Sequence, residues 1–190
     1  MKVAICPGHH EHSAGYYSPT LGEYEFDLAQ LITQVPVPPT GIEIVTFRGT
    51  LKDKVKLINA AGCDAALDIH FNAGGSSSSG SECLYTSSNG KILATSVLDG
   101  LVRATSLKSR GVKKESDLQR FIHGRPFRSY FLHQTECPAT IVEVLFLSNP
   151  EEARLLRNDD FVVKVRRGIM DGIAQWARAT HRLTVEEPNG

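Results

Sequence analysis

The strongest β-strand signal in the chain lies at residues 139–145, within the stretch Ala139-Thr140-Ile141-Val142-Glu143-Val144-Leu145-Phe146. Every position but one carries an apolar or β-branched side chain, which is typical of a strand buried on both faces. The exception is Glu143, and a buried carboxylate without a partner costs several kcal/mol. We therefore expect a metal ion, a cation or a proton beside Glu143. A salt bridge to an arginine such as Arg128 or Arg48 is the structural alternative.

Shorter strand and helix signals alternate along the rest of the chain. Strands are predicted at residues 2–6, 42–47 and 65–69 and from residue 84, and helices at residues 24–35, 55–61, 91–104 and 161–176. Residues 74–81 are a Gly/Ser loop, and residues 110–112 are predicted to begin a polar connection. The alternation predicts a single α/β domain, residues 1–180, in which helices flank a twisted, mostly parallel central sheet. Residues 181–190 are predicted to be a short polar tail.

The bulk composition limits the classes of function. Of the 190 residues 41% are hydrophobic, which suits one domain with an interior large enough for a dry site. Lys plus Arg and Asp plus Glu number 21 each, so we expect no nucleic-acid partner. The four cysteines lack Cys-x-x-Cys spacing, which argues against a cysteine zinc site and predicts reduced, mostly buried thiols. No stretch has the length of a signal peptide core or a membrane span, so we expect synthesis in the cytoplasm, and we expect a monomer.

Two predicted strands end next to a histidine. His9 follows the strand at residues 2–6, and His70 follows the strand at residues 65–69. Ligands of parallel sheets bind at the carboxyl ends of the strands, so both imidazoles are expected at one edge. Each histidine alone has the ordinary alternative of a structural role. His10 and His12 share the loop with His9 and are alternative ligands, although solvated loop histidines are the common case.

The first helix has two acidic residues near its start. Thr20 and Glu23 have the spacing of a capping box, in which Glu23 would bond the helix N-terminus. Glu25 lies two positions further on, and helical periodicity alone does not separate the two glutamates as candidates for a site.

The block around Glu143 closely resembles the closing motif of the zinc-dependent N-acetylmuramoyl-L-alanine amidases, the third amidase family. That block runs Ile141-Val142-Glu143-Val144-Leu145-Phe146-Leu147-Ser148-Asn149-Pro150-Glu151-Glu152-Ala153. The family's other landmarks follow in order: Pro7-Gly8-His9, Glu23 with Asp27-Leu28-Ala29, Ile69-His70-Phe71-Asn72-Ala73, Arg110-Gly111-Val112 and Pro138-Ala139. The resemblance covers about residues 3 to 177, nearly the whole chain.

The resemblance implies a phosphorylase/hydrolase-like fold, a set of site residues and a reaction. His9, Glu23 and His70 would bind Zn²⁺, with Glu23 favoured because it lies five residues before Leu28, as the family's ligand does. Glu143 would be the catalytic carboxylate. Three protein ligands leave zinc one position for a water, which the metal acidifies. The implied function is cleavage of the peptidoglycan amide bond between N-acetylmuramic acid and L-alanine.

The chain departs from the family pattern beside both histidines. The aspartate that usually precedes Pro-Gly-His is Cys6, and the small glycine pair that usually follows is His10-Glu11. Asp68 replaces the usual serine before Ile-His, and Phe47 interrupts a Thr-Arg pair. Asp68 shares a strand face with His70 at period two, so we expect a hydrogen bond to the imidazole or a salt bridge.

Three functions remain open at this point. The leading hypothesis is a phage endolysin, made in the host cytoplasm and acting on the cell wall after release. The alternatives are a related zinc amidohydrolase or carboxypeptidase that acts on small acylated amino acids or muropeptides, and a non-catalytic peptidoglycan-binding module. His123 and His133, in a stretch where the family has substrate-side residues, are expected to make surface or groove contacts.

Overall fold

A six-stranded sheet forms the centre of the protein, which a computed structural model describes over residues 1–35, 37–118, 121–122, 125–126 and 128–180. The strands of this sheet and of two smaller pairs, β2-β3 and β8-β9, are as follows. They are β1 Lys2–Pro7, β2 Tyr17–Ser18, β3 Glu23–Tyr24, β4 Glu43–Val45, β5 Ala65–Asn72, β6 Ser81–Tyr85, β7 Ser109–Lys114, β8 Phe121–Ile122, β9 Arg125–Pro126 and β10 Ala139–Phe146. The helices are α1 Glu25–Thr33, α2 Leu51–Ala60, α3 Ser88–Thr105, α4 Tyr130–Gln134, α5 Pro150–Leu155 and α6 Asp159–Ala179.

The sheet is mostly parallel and has the order β4-β1-β5-β10-β6-β7. The single antiparallel contact within this order is between β10 and β6. Strand β10 lies between two neighbours and is buried along its whole length, as its apolar sequence predicts. The predicted single α/β domain is therefore confirmed.

Helices cover both faces of the sheet. One face packs against α1, α3, α5 and α6 in the larger hydrophobic core, and the other packs against α2 and α4 in a smaller one. The side chains of β5 alternate between these two cores, with Leu67 and Ile69 in the first and Ala66 in the second. His70 and Asp68 share the α2 face with Ala66, because alternate residues of a strand point the same way.

Helices α3 and α6 approach closely along a seam of glycines, Gly100, Gly168 and Gly172. A Cβ atom at Gly172 would lie 2.5 Å from the carbonyl oxygen of Ser96 and 2.5 Å from the Cα atom of Val97. Backbone atoms cannot yield as a flexible side chain does. The seam therefore fixes how α6 packs over the sheet.

The start of α1 differs from the sequence prediction. Residues 17–24 form the β2–β3 hairpin, with Ser18 paired to Glu23, so Thr20 lies in a turn and Glu23 in a strand. The predicted capping box at Thr20 is therefore wrong, and α1 begins at Glu25 without a side-chain cap. A capping box does occur at α2, where Thr50 and Asp53 bond reciprocally and begin the helix at Leu51, four residues earlier than predicted.

Other boundaries also differ. Residues 110–112, predicted as a polar connection, lie in β7, which pairs with β6 in parallel. The predicted strand at residues 42–47 is the shorter β4, and the short helices α4 and α5 were not predicted. Short helices carry weak periodicity, and α5 begins because Asn149 caps it ahead of Pro150.

Some predictions concern segments outside the described residues, namely the polar tail at residues 181–190 and His123. Among the described helices, none combines the length and apolar character that crossing a bilayer requires. Cys6, Cys63 and Cys83 are free, buried thiols, and Cys137 is partly exposed.

Substituting Gly172 by alanine is expected to destabilise the fold by about 1–3 kcal/mol, because the new methyl group has no space in the glycine seam. Urea unfolding of the purified protein measures this change. Exposed Asp171 on the same helix provides the control, and Asp171→Ala is expected to stay within about 0.5 kcal/mol of the wild type. Equal stabilities of the two variants would contradict the close packing described for the seam.

Candidate metal centre

His9 and His70 lie side by side at the carboxyl edge of the sheet. The backbone N–H of Gly8 donates to the carbonyl of Ile69 over 2.7 Å, which holds the end of β1 against β5. His9 then turns with φ of 63°, a left-handed conformation unusual for a residue with a side chain. The two imidazole centroids are 4.9 Å apart, at an angle of 69°. The predicted convergence of these two histidines is present in the structure.

Two glycines leave the space that the histidine rings occupy. A Cβ atom at Gly8 would lie 2.6 Å from the ring of His70. A Cβ atom at Gly15 would lie 2.6 Å from both the His9 ring and a Glu25 carboxylate oxygen. Gly15 also has a φ of 78°, which other residues rarely adopt. Any larger residue at either position would push the rings from their places.

Glu25 joins the two histidines. Its Oε1 is 2.9 Å from His70 Nδ1 and its Oε2 is 3.1 Å from His9 Nε2. The backbone N–H groups of Phe71 and Tyr16 donate to the same two oxygens over 3.1 Å and 3.2 Å. Glu25 is also the first residue of α1, where the positive end of the helix dipole favours a carboxylate. The carboxylate is therefore buried, ionised and fixed in orientation.

Glu23 does not belong to this cluster, contrary to the ligand set that the family spacing suggested. Its carboxylate lies 2.6 Å from the guanidinium of Arg157 and is partly exposed. The β2–β3 hairpin ends at Tyr24, so the two glutamates fall on different elements. The acidic member of the cluster is Glu25.

A helical pattern in the sequence points to Glu25 once the helix is known to begin there. Glu25 has the i position of an i, i+3, i+4, i+7 face whose other members, Leu28, Ala29 and Ile32, are all buried. A charged residue on such a face needs a partner in the interior. The family spacing, counted back from Leu28, leads to Glu23 instead, and this register does not fit the observed helix.

Behind His70 lies a buried ion pair. His70 Nε2 is 3.0 Å from Asp68 Oδ2, and Asp68 Oδ1 accepts a hydrogen bond of 2.8 Å from Lys54 Nζ. Lys54 also donates to the carbonyl of Pro7 over 2.7 Å. The hydrogen bond expected between Asp68 and His70 is thus present. Lys54 was not predicted as part of the site, and its burial with Val55 and Ile58 follows from the earlier start of α2.

Both nitrogens of His70 face carboxylates, which governs its charge. Burial disfavours the imidazolium, but the charge of Asp68 and the hydrogen bonds to Asp68 and Glu25 outweigh it and raise the pKa of His70 to about 10. Burial likewise opposes ionisation of Glu25, yet hydrogen bonds to His70 and His9 hold its pKa well below the ordinary value. The pKa values of the two groups are thus shifted in the directions that favour an ion pair between Glu25 and His70.

The donor set fits a zinc ion. One ligand atom from each of His9, Glu25 and His70 lies within 4.8 Å of the other two. Imidazole nitrogens and a carboxylate oxygen are among the preferred ligands of zinc, and catalytic sites commonly have three protein ligands and one open position. Backbone hydrogen bonds and the close packing at Gly8 and Gly15 hold these three side chains in place. His9, Glu25 and His70 are thus the residues that could hold the ion.

Glu143 lies beside the cluster on the neighbouring strand. It is the register partner of His70 across β5 and β10, so both side chains project from the same face. It is 8% exposed and lines a cavity of about 470 Å³ with His9 and His70. The rest of the cavity wall includes the apolar side chains of Leu84, Phe131 and Ile141 and the more exposed Arg128 and Tyr130. Glu143, two histidines of the candidate cluster and an apolar wall therefore share one cavity.

The remaining described histidines lie outside the cluster. His10 lines the cavity but contributes no atom to the group of three, and His12 is largely exposed. His133 Nε2 is 2.7 Å from Glu115, whose carboxylate also accepts from the backbone N–H of Ser129. This contact anchors the segment that carries Ser129 at the cavity wall.

Comparisons with known proteins agree with this geometry. A family model described as N-acetylmuramoyl-L-alanine amidase matches residues 3–175. The germination-specific N-acetylmuramoyl-L-alanine amidase of Bacillus subtilis (strain 168) is 33% identical over 130 residues, which are 66% of this chain and 50% of that protein. The endolysin of Bacillus phage SPP1 is 30% identical over 133 residues, 66% of this chain and 44% of the endolysin. The chain therefore spans about half the length of these two relatives.

A solved structure shows the same fold. The catalytic domain of CwlV, an N-acetylmuramoyl-L-alanine amidase from Bacillus (Paenibacillus) polymyxa var. colistinus, superimposes with a TM-score of 0.78 at 26% identity. The superposition covers 94% of this chain and 99% of that domain.

The two glutamates provide a direct test of the cluster. Glu25→Gln is expected to weaken zinc binding at least about tenfold, because the amide removes the negative charge between the histidines. Glu23→Gln is the matched control and is expected to bind zinc as the wild type does. Competition with a chromophoric chelator measures both affinities. Loss of zinc binding in Glu23→Gln with retention in Glu25→Gln would contradict the assignment.

Proposed function

Because the chain belongs to the N-acetylmuramoyl-L-alanine amidase family, we propose that it hydrolyses the peptidoglycan amide bond between N-acetylmuramic acid and L-alanine. We propose further that zinc is its cofactor, held by His9, Glu25 and His70. The observation that carries the proposal is that Glu143 lines the same cavity as His9 and His70, two members of this cluster. When bound there, zinc supplies a Lewis acid that polarises the scissile carbonyl and acidifies a water.

The position of Glu143 in the cavity suits a residue that acts first as a general base and then as a general acid. Its register with His70 puts the carboxylate on the cavity wall next to the cluster, within the space open to substrate. In the proposed reaction Glu143 accepts a proton from the attacking water and delivers it to the leaving amine nitrogen of L-alanine. The carbon–nitrogen bond breaks, and the lactyl carboxylate and the free peptide amine are the products.

The cavity walls suit a substrate with apolar and polar parts. Leu84, Ile141 and Phe131 exclude water from one side of the cavity, which strengthens the electrostatic contribution of nearby charged groups. Arg128 and Tyr130 are exposed at the same cavity and are available to the polar groups of a stem peptide or a sugar. At about 470 Å³ the cavity accommodates the scissile region, while the polymer extends outside it.

A lytic role in a phage is the finer form of this proposal. The similarity to the SPP1 endolysin over 133 residues supports it. In that role the protein is made in the host cytoplasm and reaches the wall after release through a membrane lesion. Added protein should then clear permeabilised cells in a turbidity assay. Intact sacculi unaffected by the protein would contradict the lytic role.

Digestion of purified sacculi tests the reaction itself. The expected products are new L-alanine amino termini without new reducing sugar ends, detected by amine labelling and mass spectrometry. A matched incubation after zinc chelation is expected to release neither. Reducing ends without amines would indicate a glycosidase, and cleavage of small muropeptides but not sacculi would favour a related amidohydrolase.

Glu143→Gln tests the proton-transfer role. The amide cannot accept a proton from water, so kcat is expected to fall by about 10²- to 10⁴-fold. Zinc affinity is expected to stay near that of the wild type, because Glu143 is not in the ligand group. Exposed Glu151 provides the control, and Glu151→Gln should retain full turnover. Near wild-type kcat in Glu143→Gln would rule out the assigned role.

A further inference from the structure

Two buried charged side chains, Lys54 and Asp68, lie next to His70 and line the same cavity. Lys54 is 1% exposed and Asp68 is 2% exposed, and they form an ion pair of 2.8 Å. Removing two charges from water costs several kcal/mol for each ion, and the attraction between them repays this only with good geometry. A well-packed apolar pair would fill the same space at no such cost. This cost indicates that the Lys54–Asp68 ion pair has a role other than packing.

Every oxygen of the Asp68 carboxylate has a partner. Oδ1 accepts from Lys54, and Oδ2 lies 3.0 Å from His70 Nε2. Lys54 is fixed in turn by its hydrogen bond to the carbonyl of Pro7, at the end of β1. Rotation of the carboxylate would break both contacts in the interior. Asp68 is therefore locked as the acceptor for the Nε2–H of His70.

The fixed orientation of the Asp68 carboxylate determines which nitrogen of His70 faces Glu25. With Nε2 donating to Asp68, Nδ1 is the nitrogen that points to Glu25, at 2.9 Å. The hydrogen bond made by one imidazole nitrogen commonly fixes the tautomer and so which nitrogen binds a metal. On the first strand, His9 presents Nε2 to the same carboxylate over 3.1 Å.

We propose that Asp68 is a positioning residue for the metal ligand His70, and that Lys54 holds Asp68 in the orientation that leaves Nδ1 of His70 to bind the ion. The inference rests on the proposed zinc site and adds the residues that set its affinity. Hydrogen bonds connect Pro7, Lys54, Asp68 and His70 in series. They link the end of β1 and helix α2 to the ligand on strand β5.

The neighbour of Asp68 on the first strand is consistent with this role. Cys6 is its register partner across β1 and β5 and is fully buried. Burial raises the pKa of the Cys6 thiol to about 12, so this side chain is neutral beside the ion pair. The small thiol adds no charge that would compete for Lys54.

Two double variants isolate the hydrogen bond from the charges. Lys54→Met with Asp68→Asn and Lys54→Met with Asp68→Leu both remove the buried ion pair, and replacing such a pair by neutral residues is often tolerated. Only asparagine retains an oxygen that can accept from Nε2–H. The leucine double variant is expected to bind zinc about 10- to 100-fold more weakly than the asparagine one, as measured by chelator competition. Equal zinc affinities would overturn the positioning role of Asp68.

The single variant Asp68→Asn tests Lys54. The ammonium attracts the amide oxygen, which turns the amide N–H toward His70 and favours the wrong tautomer. This variant is therefore expected to bind zinc more weakly than the asparagine double variant, and equal or tighter binding would overturn the role of Lys54.

Nitrogen NMR of the zinc-loaded wild type adds a readout of the tautomer, and His70 is expected to be protonated at Nε2. Zinc bound at Nε2 would overturn the inference. A wild type that binds no zinc would refute the proposed site itself, which is a separate failure.

Discussion

The bridge that Glu25 forms between His9 and His70 is the interaction on which the rest of the site depends. A single carboxylate contacts one nitrogen of each imidazole while two backbone N–H groups hold its oxygens. These hydrogen bonds explain how a charged group remains ionised inside the protein. They also bring together three side chains that could hold a metal ion.

The fold delivers these groups from separate elements to one edge. Strands β1, β5 and β10 are adjacent and parallel, so their carboxyl ends place His9, His70 and Glu143 in a row. The β2–β3 hairpin then sets where α1 begins, since the N–H of Glu25 donates to the carbonyl of Tyr16. Glycines at 8 and 15 allow the close approach of rings and carboxylate. The sheet determines the direction in which the side chains point, and the hairpin determines the residue at which α1 begins.

Much of this arrangement could be predicted from the sequence, and the exceptions have physical reasons. Buried strands have a strong apolar signature, so β10 and the positions of His70 and Glu143 were predictable. Glu25 was not predicted as the acidic ligand, because the start of α1 depends on a hairpin that forms through tertiary contacts. A single local sequence pattern does not reveal such contacts. Lys54 was missed because lysines in a helix are usually exposed, and only the packing of α2 against the sheet shows its burial.

Anomalous diffraction at the zinc absorption edge, from crystals grown with zinc, would locate the ion. One strong peak is expected in contact with His9, Glu25 and His70, next to the cavity that Glu143 lines. A strong peak at Glu23 or elsewhere, with no anomalous density among these three residues, would contradict this assignment.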